Sequence, residues 1–334
     1  MKNNILFIGD MHVKKDNLIE SDRLIDFAIE TAVENNAYII FSGDQYNDHS
    51  IIHASVLDFW KKAYAKIKAV DIDSCSLVGN HDLSSDYKHS PMFSHSDYTK
   101  VILEPCQISR NIGGVGYVKN HEDFITQVMG LYNGGVRLVF CHAEFDGASF
   151  DNGFYIPNGI KISDFPSDLT FVSGHIHSRQ ELSSNGVVRV YYSGTPRMLT
   201  RSDLSKEKTI MLIDPSNVNK VRYIPVPPHV CEPFTHVVVT CLEDLANIPD
   251  SDRSYVDIKG SKEFIASVID KIPESVKVRT IPDTEKLVAS SINETDGINV
   301  AFAGYLNEYI KEHKIEDDQF LTQIFDYLPS WRNA

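Results

Sequence analysis

The chain has 334 residues, enough to bury a full core and, as a length prior, to form about two domains. Hydrophobic residues at 42% and charged residues at 23% are those of a soluble globular protein, which excludes a disordered or fibrous chain. A formal net charge of -14 excludes a uniformly basic surface of the kind that grips polyanions. The cysteines, Cys75, Cys106, Cys141, Cys231 and Cys241, form no CxxC pair, and their odd number fits reduced, buried thiols in a cytoplasmic compartment. The apolar run Ile5–Ile8 stops at Gly9-Asp10, too soon for a signal peptide or a membrane span, and nothing else is long enough to span.

In chain order, Asn4–Ile8 reads as a buried strand and Ser21–Asn35 as a helix, with apolar residues at Leu24, Ile25, Ala28, Ile29, Ala32 and Val33. Tyr38–Phe41 is a second strand, ending at Gly43-Asp44. Another amphipathic helix carries Ile52, Val56, Phe59, Trp60, Ala63 and Ile67, before a strand over Cys75–Val78 that ends at Gly79-Asn80. Val136–Cys141 runs into His142, and Leu169–Ser173 into Gly174-His175. Between them, Ala143–Asp168 is rich in Gly, Asn, Asp and Ser and long for a neutral connection, which marks a functional loop. Val187–Tyr192 and Thr209–Ile213 complete the strands of a first domain over residues 1–222, and Pro225, Pro227 and Pro228 read as a linker. A small α+β domain follows over 229–284, then two helices in a tail over 290–334. Alternating strand, loop and helix predict an α/β sheet whose ligand site lies beyond the carboxyl ends of its strands.

Seven metal-ligand-type side chains fall at those strand ends: Asp10, His12, Asp44, Asn80, His142, His175 and His177. Carboxylates, one amide and several imidazoles suit a first-row cation such as manganese or iron, and seven ligands are too many for one ion. Asp44 is the natural bridge between two ions. Asp10, His12 and His177 would fill one shell, and Asn80, His142 and His175 the other, an arrangement suited to displacement at phosphorus. His81 adjoins a ligand without being needed as one, and is expected to donate a proton to the leaving oxygen, with Asp82 orienting its ring.

These residues carry the pattern DxH (Asp10, His12), GD (Gly43-Asp44), GNHD (Gly79-Asn80-His81-Asp82), a lone His (His142) and GHxH (Gly174-His175-Ile176-His177). The pattern resembles that of the calcineurin-like metallophosphoesterases. Within them the chain resembles the SbcD-type nuclease branch, short bacteriophage forms in particular. That likeness rests on the Asp of Gly79-Asn80-His81-Asp82, on the run from His142 to Gln180, and on Tyr192-Ser193-Gly194-Thr195-Pro196-Arg197. It implies a four-layer α/β/β/α sandwich with a small capping domain, and two manganese ions, with magnesium or iron able to take the same donors. It also implies DNA as substrate, with 3'-5' exonuclease activity on duplex ends and endonuclease activity on single strands. The partner implied is an SMC-like ABC ATPase of SbcC type, bound through residues 290–334, and the branch commonly forms homodimers. In that branch the third position after the bridging carboxylate is usually His or Asp; here it is Asn47.

Lys14, Lys15, Arg197 and Arg201 lie near ligand-bearing loops and are the expected phosphate contacts, Arg197 and Arg201 foremost. The dense apolar face from Phe302 to Leu328 is expected to dock on the ATPase. Two other readings use the same centre: a phosphodiesterase for nucleotides or small phosphoesters, and a scaffold with a vestigial metal site.

Overall fold

The computed structural model describes residues 4–283 apart from 49–50, 85–86, 88, 151–154, 157, 204–206 and 219–220. The expected helical tail over 290–334 lies outside the described residues. No described helix is long and apolar enough to cross a membrane.

Two six-stranded sheets are stacked face to face. The first is built on β1 (Asn4–Ile8), β2 (Ala37–Phe41), β3 (Ser74–Leu77) and β4 (Lys100–Ile102), all parallel. On the other side of β1 the sheet is extended antiparallel by β11 (Thr209–Ile213) and β12 (Arg222–Pro225), so Pro225 closes an edge strand. The second sheet runs in the order β5 (Cys106–Ser109), β6 (Ile112–Val115), β7 (Leu138–His142), β8 (Thr170–Gly174), β10 (Val187–Tyr192) and β9 (Gln180–Ser184).

The unbroken apolar runs are explained by burial on both faces. Along β1, Ile5 and Phe7 point between the sheets, where Phe7 meets Phe140 of β7 at 5.4 Å between ring centroids. Leu6 and Ile8 point outward against α1 (Leu18–Glu34) and α2 (Ala54–Ala69). The outer face of the second sheet is covered by α3 (His121–Asn133), through Phe124 and Val128. The layers are thus helix, sheet, sheet, helix, as the resemblance implied. The long segment after His142 packs into the same outer core through Phe145, Ala148, Ile156 and Ile160.

β4, β5, β6, β9, β12 and α3 were not foreseen, Pro225 of β12 having been read as linker, and the glycines of β6 show one reason. A methyl group added at Gly113 would come within 2.9 Å of Leu131 of α3, and one at Gly114 within 3.0 Å of Ile102. The strand carries Gly-Gly because layers close on it from both sides, which removes the β-branched signal by which a strand is read.

A third sheet consists of β13 (Thr235–Val239), β14 (Ser254–Gly260) and β15 (Lys277–Pro282), all parallel, with α4 (Lys262–Ile269) on one face. It has its own core, including Val239, Val256, Ile258 and Val268. It is joined to the sandwich by charged contacts: Arg201 pairs with Asp257 of β14, and Arg253 faces Glu20 of α1 at 3.3 Å.

Candidate metal centre

Each ligand-type residue follows a strand of the sandwich. Asp10 and His12 follow β1, Asp44 follows β2 and Asn80 follows β3; His142 ends β7, and His175 and His177 follow β8. The glycines before them permit close approach. A methyl group on Gly79 would collide with Asp44, one on Gly43 would lie 2.6 Å from His142 Nδ1, and one on Gly174 would lie 2.5 Å from Asp10 Oδ1. Three of the ligand-type residues themselves hold left-handed backbone: His12 (φ 42°), Asp44 (φ 52°) and His175 (φ 79°). Such conformations cost a non-glycine residue on the order of 1 kcal/mol or more each, and they aim side chains that regular strands would direct elsewhere.

The structure brings the seven side chains together. Asp10, His12 and His177 offer ligand atoms within 4.8 Å of one another, as do Asp44, His142 and His175. His12 Nε2 is 3.1 Å from His177 Nε2 and 3.6 Å from Asp44 Oδ2, while His142 Nε2 is 3.5 Å from Asp44 Oδ1. Asp44 therefore turns one oxygen toward each group. Asn80 Oδ1 lies 3.0 Å from His142 Nε2 and 2.9 Å from His175 Nδ1, nitrogens that are themselves 3.2 Å apart.

This donor set fits divalent cations. His142 Nδ1 donates to the Ser42 carbonyl at 2.9 Å and His175 Nε2 to Glu144 Oε1 at 2.5 Å, so in each neutral ring the inward nitrogen carries a lone pair. Two such lone pairs and an amide oxygen converging on one point repel each other unless positive charge sits among them. The electrostatics agree. Burial works to lower the pKa of His142, yet Asp44 and Asp10 push it up to about 9. Burial, aided by the other imidazoles, holds His12 well below the usual histidine range despite Asp44. Asp44 is held far below the usual carboxylate range, against burial, by His142, His12 and His81.

Supporting groups emerge that the sequence reading missed. Glu144, which fixes the His175 ring and is itself lowered by that hydrogen bond, stands two residues after His142, on the same side of an extended chain. Ser42, next to Gly43-Asp44, donates to Asp10 Oδ1 at 2.5 Å, and Tyr117 stacks on His175 at 6.0 Å.

Asp82 is placed differently from expectation. It is 1% exposed and accepts from the amides of Gly79 (2.9 Å) and Tyr46 (3.0 Å), so it braces the loop rather than the His81 ring. The ring is held instead by the backbone carbonyl of Asn47, 2.7 Å from His81 Nδ1. A carbonyl only accepts, so Nδ1 carries a proton. His81 also lies edge-on to His12 at 4.8 Å and forms a third possible ligand group with His12 and Asp44.

Arg197 requires a correction. It is not a phosphate contact: its side chain is 1% exposed, donates to the Met11 carbonyl and to Ser21 Oγ (2.9 Å), and faces Glu20 Oε2 at 3.4 Å. Since Met11 lies between Asp10 and His12, Arg197 positions the first ligand loop from beneath. Arg197→Met is expected to destabilise the fold by about 3 kcal/mol, the low end for a broken buried pair because Arg253 still faces Glu20. Urea unfolding measures that loss, and a variant as stable as the wild type would remove Arg197 from this positioning role. Arg201 is committed to Asp257, whereas Lys14 and Lys15 are exposed at the rim.

Carboxylates, an amide and imidazoles gathered at the carboxyl ends of both sheets of an α/β/β/α sandwich define a metal-dependent phosphoester hydrolase. The chain belongs to the calcineurin-like phosphoesterase family, whose model matches residues 4–194. It is also similar to "Putative phosphoesterase 244L" of Invertebrate iridescent virus 6, at 26% identity over 203 residues, covering 57% of this chain and 69% of the viral protein.

Proposed function

We propose that the chain is a manganese-dependent DNA phosphodiesterase, the nuclease subunit of an SbcCD-like end-processing complex. One observation carries the choice of a polymeric substrate over a small ester. A cleft of about 590 Å³ has His12, His81 and His177 on one side, and Phe234, Arg253 and Lys277 of the third sheet and its approaches on the other. The hydrolytic residues thus share one space with an aromatic ring and two cations set back from them, which suits a chain of phosphates and bases. The SbcC-type ATPase, bound through residues 290–334, follows from the motif resemblance.

Two divalent cations, held by Asp10, His12 and His177 and by Asn80, His142 and His175 with Asp44 shared, would supply Lewis-acid activation of water and stabilise charge at phosphorus. The remaining work falls to the chain. Ser42 and Glu144 fix the orientation of Asp10 and of the His175 ring. His81, its Nδ1 proton engaged by Asn47, protonates the leaving oxygen from Nε2.

End-labelled duplex DNA, circular single-stranded DNA and bis-p-nitrophenyl phosphate, each with manganese and with or without the ATPase, test the reading. DNA cleavage in either polymer arm is expected. Turnover of the small diester with both DNA substrates left intact would sink it in favour of a small-phosphoester enzyme.

A further inference from the structure

Strand register divides the third sheet into two unlike faces. Val237, Val239, Val256 and Ile258 point to the α4 side and form its core. The alternate residues point the other way, in rows: His236, Tyr255 and Lys277 lie side by side, then Val238, Asp257 and Arg279. Arg201 reaches from the sandwich over Asp257, which is 2% exposed, and the rest of this second face is open: Val238 is 38% exposed, and Lys277 and Arg279 are exposed.

The face carries aromatic rings with cations on them. Phe234 meets Tyr255 edge to face at 5.1 Å; Lys277 Nζ stands 4.9 Å from the centre of the Tyr255 ring and 5.1 Å from that of Phe234. Its charge is positive in excess. Arg201 and Arg279 both converge on the single carboxylate of Asp257, and Arg253 shares Glu20 with Arg197. Asp252, at the cleft wall, offsets part of this. In a chain of net charge -14 such a concentration is local, and it adjoins the cleft that holds His12, His81 and His177.

We infer that the open face of the third sheet is a track for single-stranded nucleic acid leading to the metal centre, with bases stacking on Tyr255 and Phe234 and phosphates meeting Lys277 and Arg279. Rings on a sheet flanked by cations match the chemistry of an unpaired strand, whose bases expose their faces and whose phosphates repeat at each step. A base laid on Tyr255 takes the place of Lys277 over the ring and leaves the ammonium to the adjoining phosphate. Duplex DNA offers no free base face to such a surface. The inference rests on the nuclease reading and adds to it where the strand lies.

The test is binding of labelled oligothymidylate and oligouridylate to the full-length protein in EDTA, followed by fluorescence anisotropy over a range of salt. Tyr255→Ala is expected to weaken binding roughly five- to hundredfold, the effect of losing one stacked base, while Tyr255→Phe retains most of it. Lys277→Ala, at an exposed position that cannot collapse the core, should lower the slope of log affinity against log salt by about one. Tighter binding of one oligonucleotide assigns DNA or RNA as the strand, and binding of either supports the track. Wild-type affinity and slope in both Tyr255→Ala and Lys277→Ala, in a protein that cleaves DNA, would overturn the track alone. A wild-type protein that hydrolyses bis-p-nitrophenyl phosphate but binds neither oligonucleotide would overturn the track and the nuclease reading together.

Discussion

Asp44→Asn is expected to lower phosphodiester turnover by at least about a thousandfold, some 4 kcal/mol in the barrier, and to abolish binding of the paired cations. Asp44 turns a separate oxygen toward an inward nitrogen of each ligand group, with Oδ2 3.6 Å from His12 Nε2 and Oδ1 3.5 Å from His142 Nε2. An amide keeps the shape and the contact with the His81 amide but removes the charge that three imidazoles surround. Loss of a supporting group such as the Ser42 hydroxyl, which donates to Asp10, should cost roughly ten- to hundredfold in metal affinity, and loss of the shared carboxylate more. The same variant reads out in stability. Each cation at a hundredfold excess over its dissociation constant stabilises the folded state by about 2.7 kcal/mol, and Asp44→Asn should forfeit nearly all of it for both. Manganese titration and melting with and without manganese measure both effects. Two cations bound at wild-type affinity in the variant would remove Asp44 from its bridging position.

His81→Asn should separate chemistry from metal binding. The expected loss is about a hundred- to ten-thousandfold in turnover, the range for a general acid, with manganese content unchanged. The side chain lines the cleft, and its Nδ1 is occupied by the Asn47 carbonyl, so removing the ring removes a proton donor. Its defect should depend on the leaving group. A p-nitrophenolate leaves without much help from a proton, whereas the alkoxide of a nucleotide does not, so DNA turnover should suffer more than that of bis-p-nitrophenyl phosphate. Equal defects on both substrates, together with loss of manganese, would instead make His81 a ligand in the group it forms with His12 and Asp44.

The ligand-bearing strands were legible because each is a short apolar run ending at a metal-binding residue, preceded by Gly in all but β7, and β1, β10 and β11 match their expected bounds. The layered sandwich came from the motif resemblance, since periodicity alone indicates a sheet without saying that two are stacked. What escaped was decided by tertiary packing. Residues 100–133 were unread because Gly113 and Gly114 are shaped by neighbours distant in sequence. Arg197 resembles a phosphate contact until Glu20, Ser21 and Met11 are seen around it, more than 170 positions earlier. Asp82 was paired with the adjacent imidazole because sequence proximity suggests it, yet the strand-end turn directs its carboxylate to two backbone amides. The third sheet was read as part of a small α+β domain, and the parallel order that leaves one face open does not follow from that class.

The ligands divide between the sheets in a way that bears on biosynthesis. Asp10, His12, Asp44 and Asn80 belong to the first sheet, and His142, His175 and His177 to the second, so either cation takes donors from both. A nascent chain that has folded only its first four parallel strands holds no complete shell, and a loose second half holds three imidazoles but neither Asp10 nor Asp44. Hydrolytic competence therefore arises only after the ribosome has passed His177 and the halves have closed. An incomplete or misfolded chain is thereby kept from hydrolysing phosphoesters before the fold is closed.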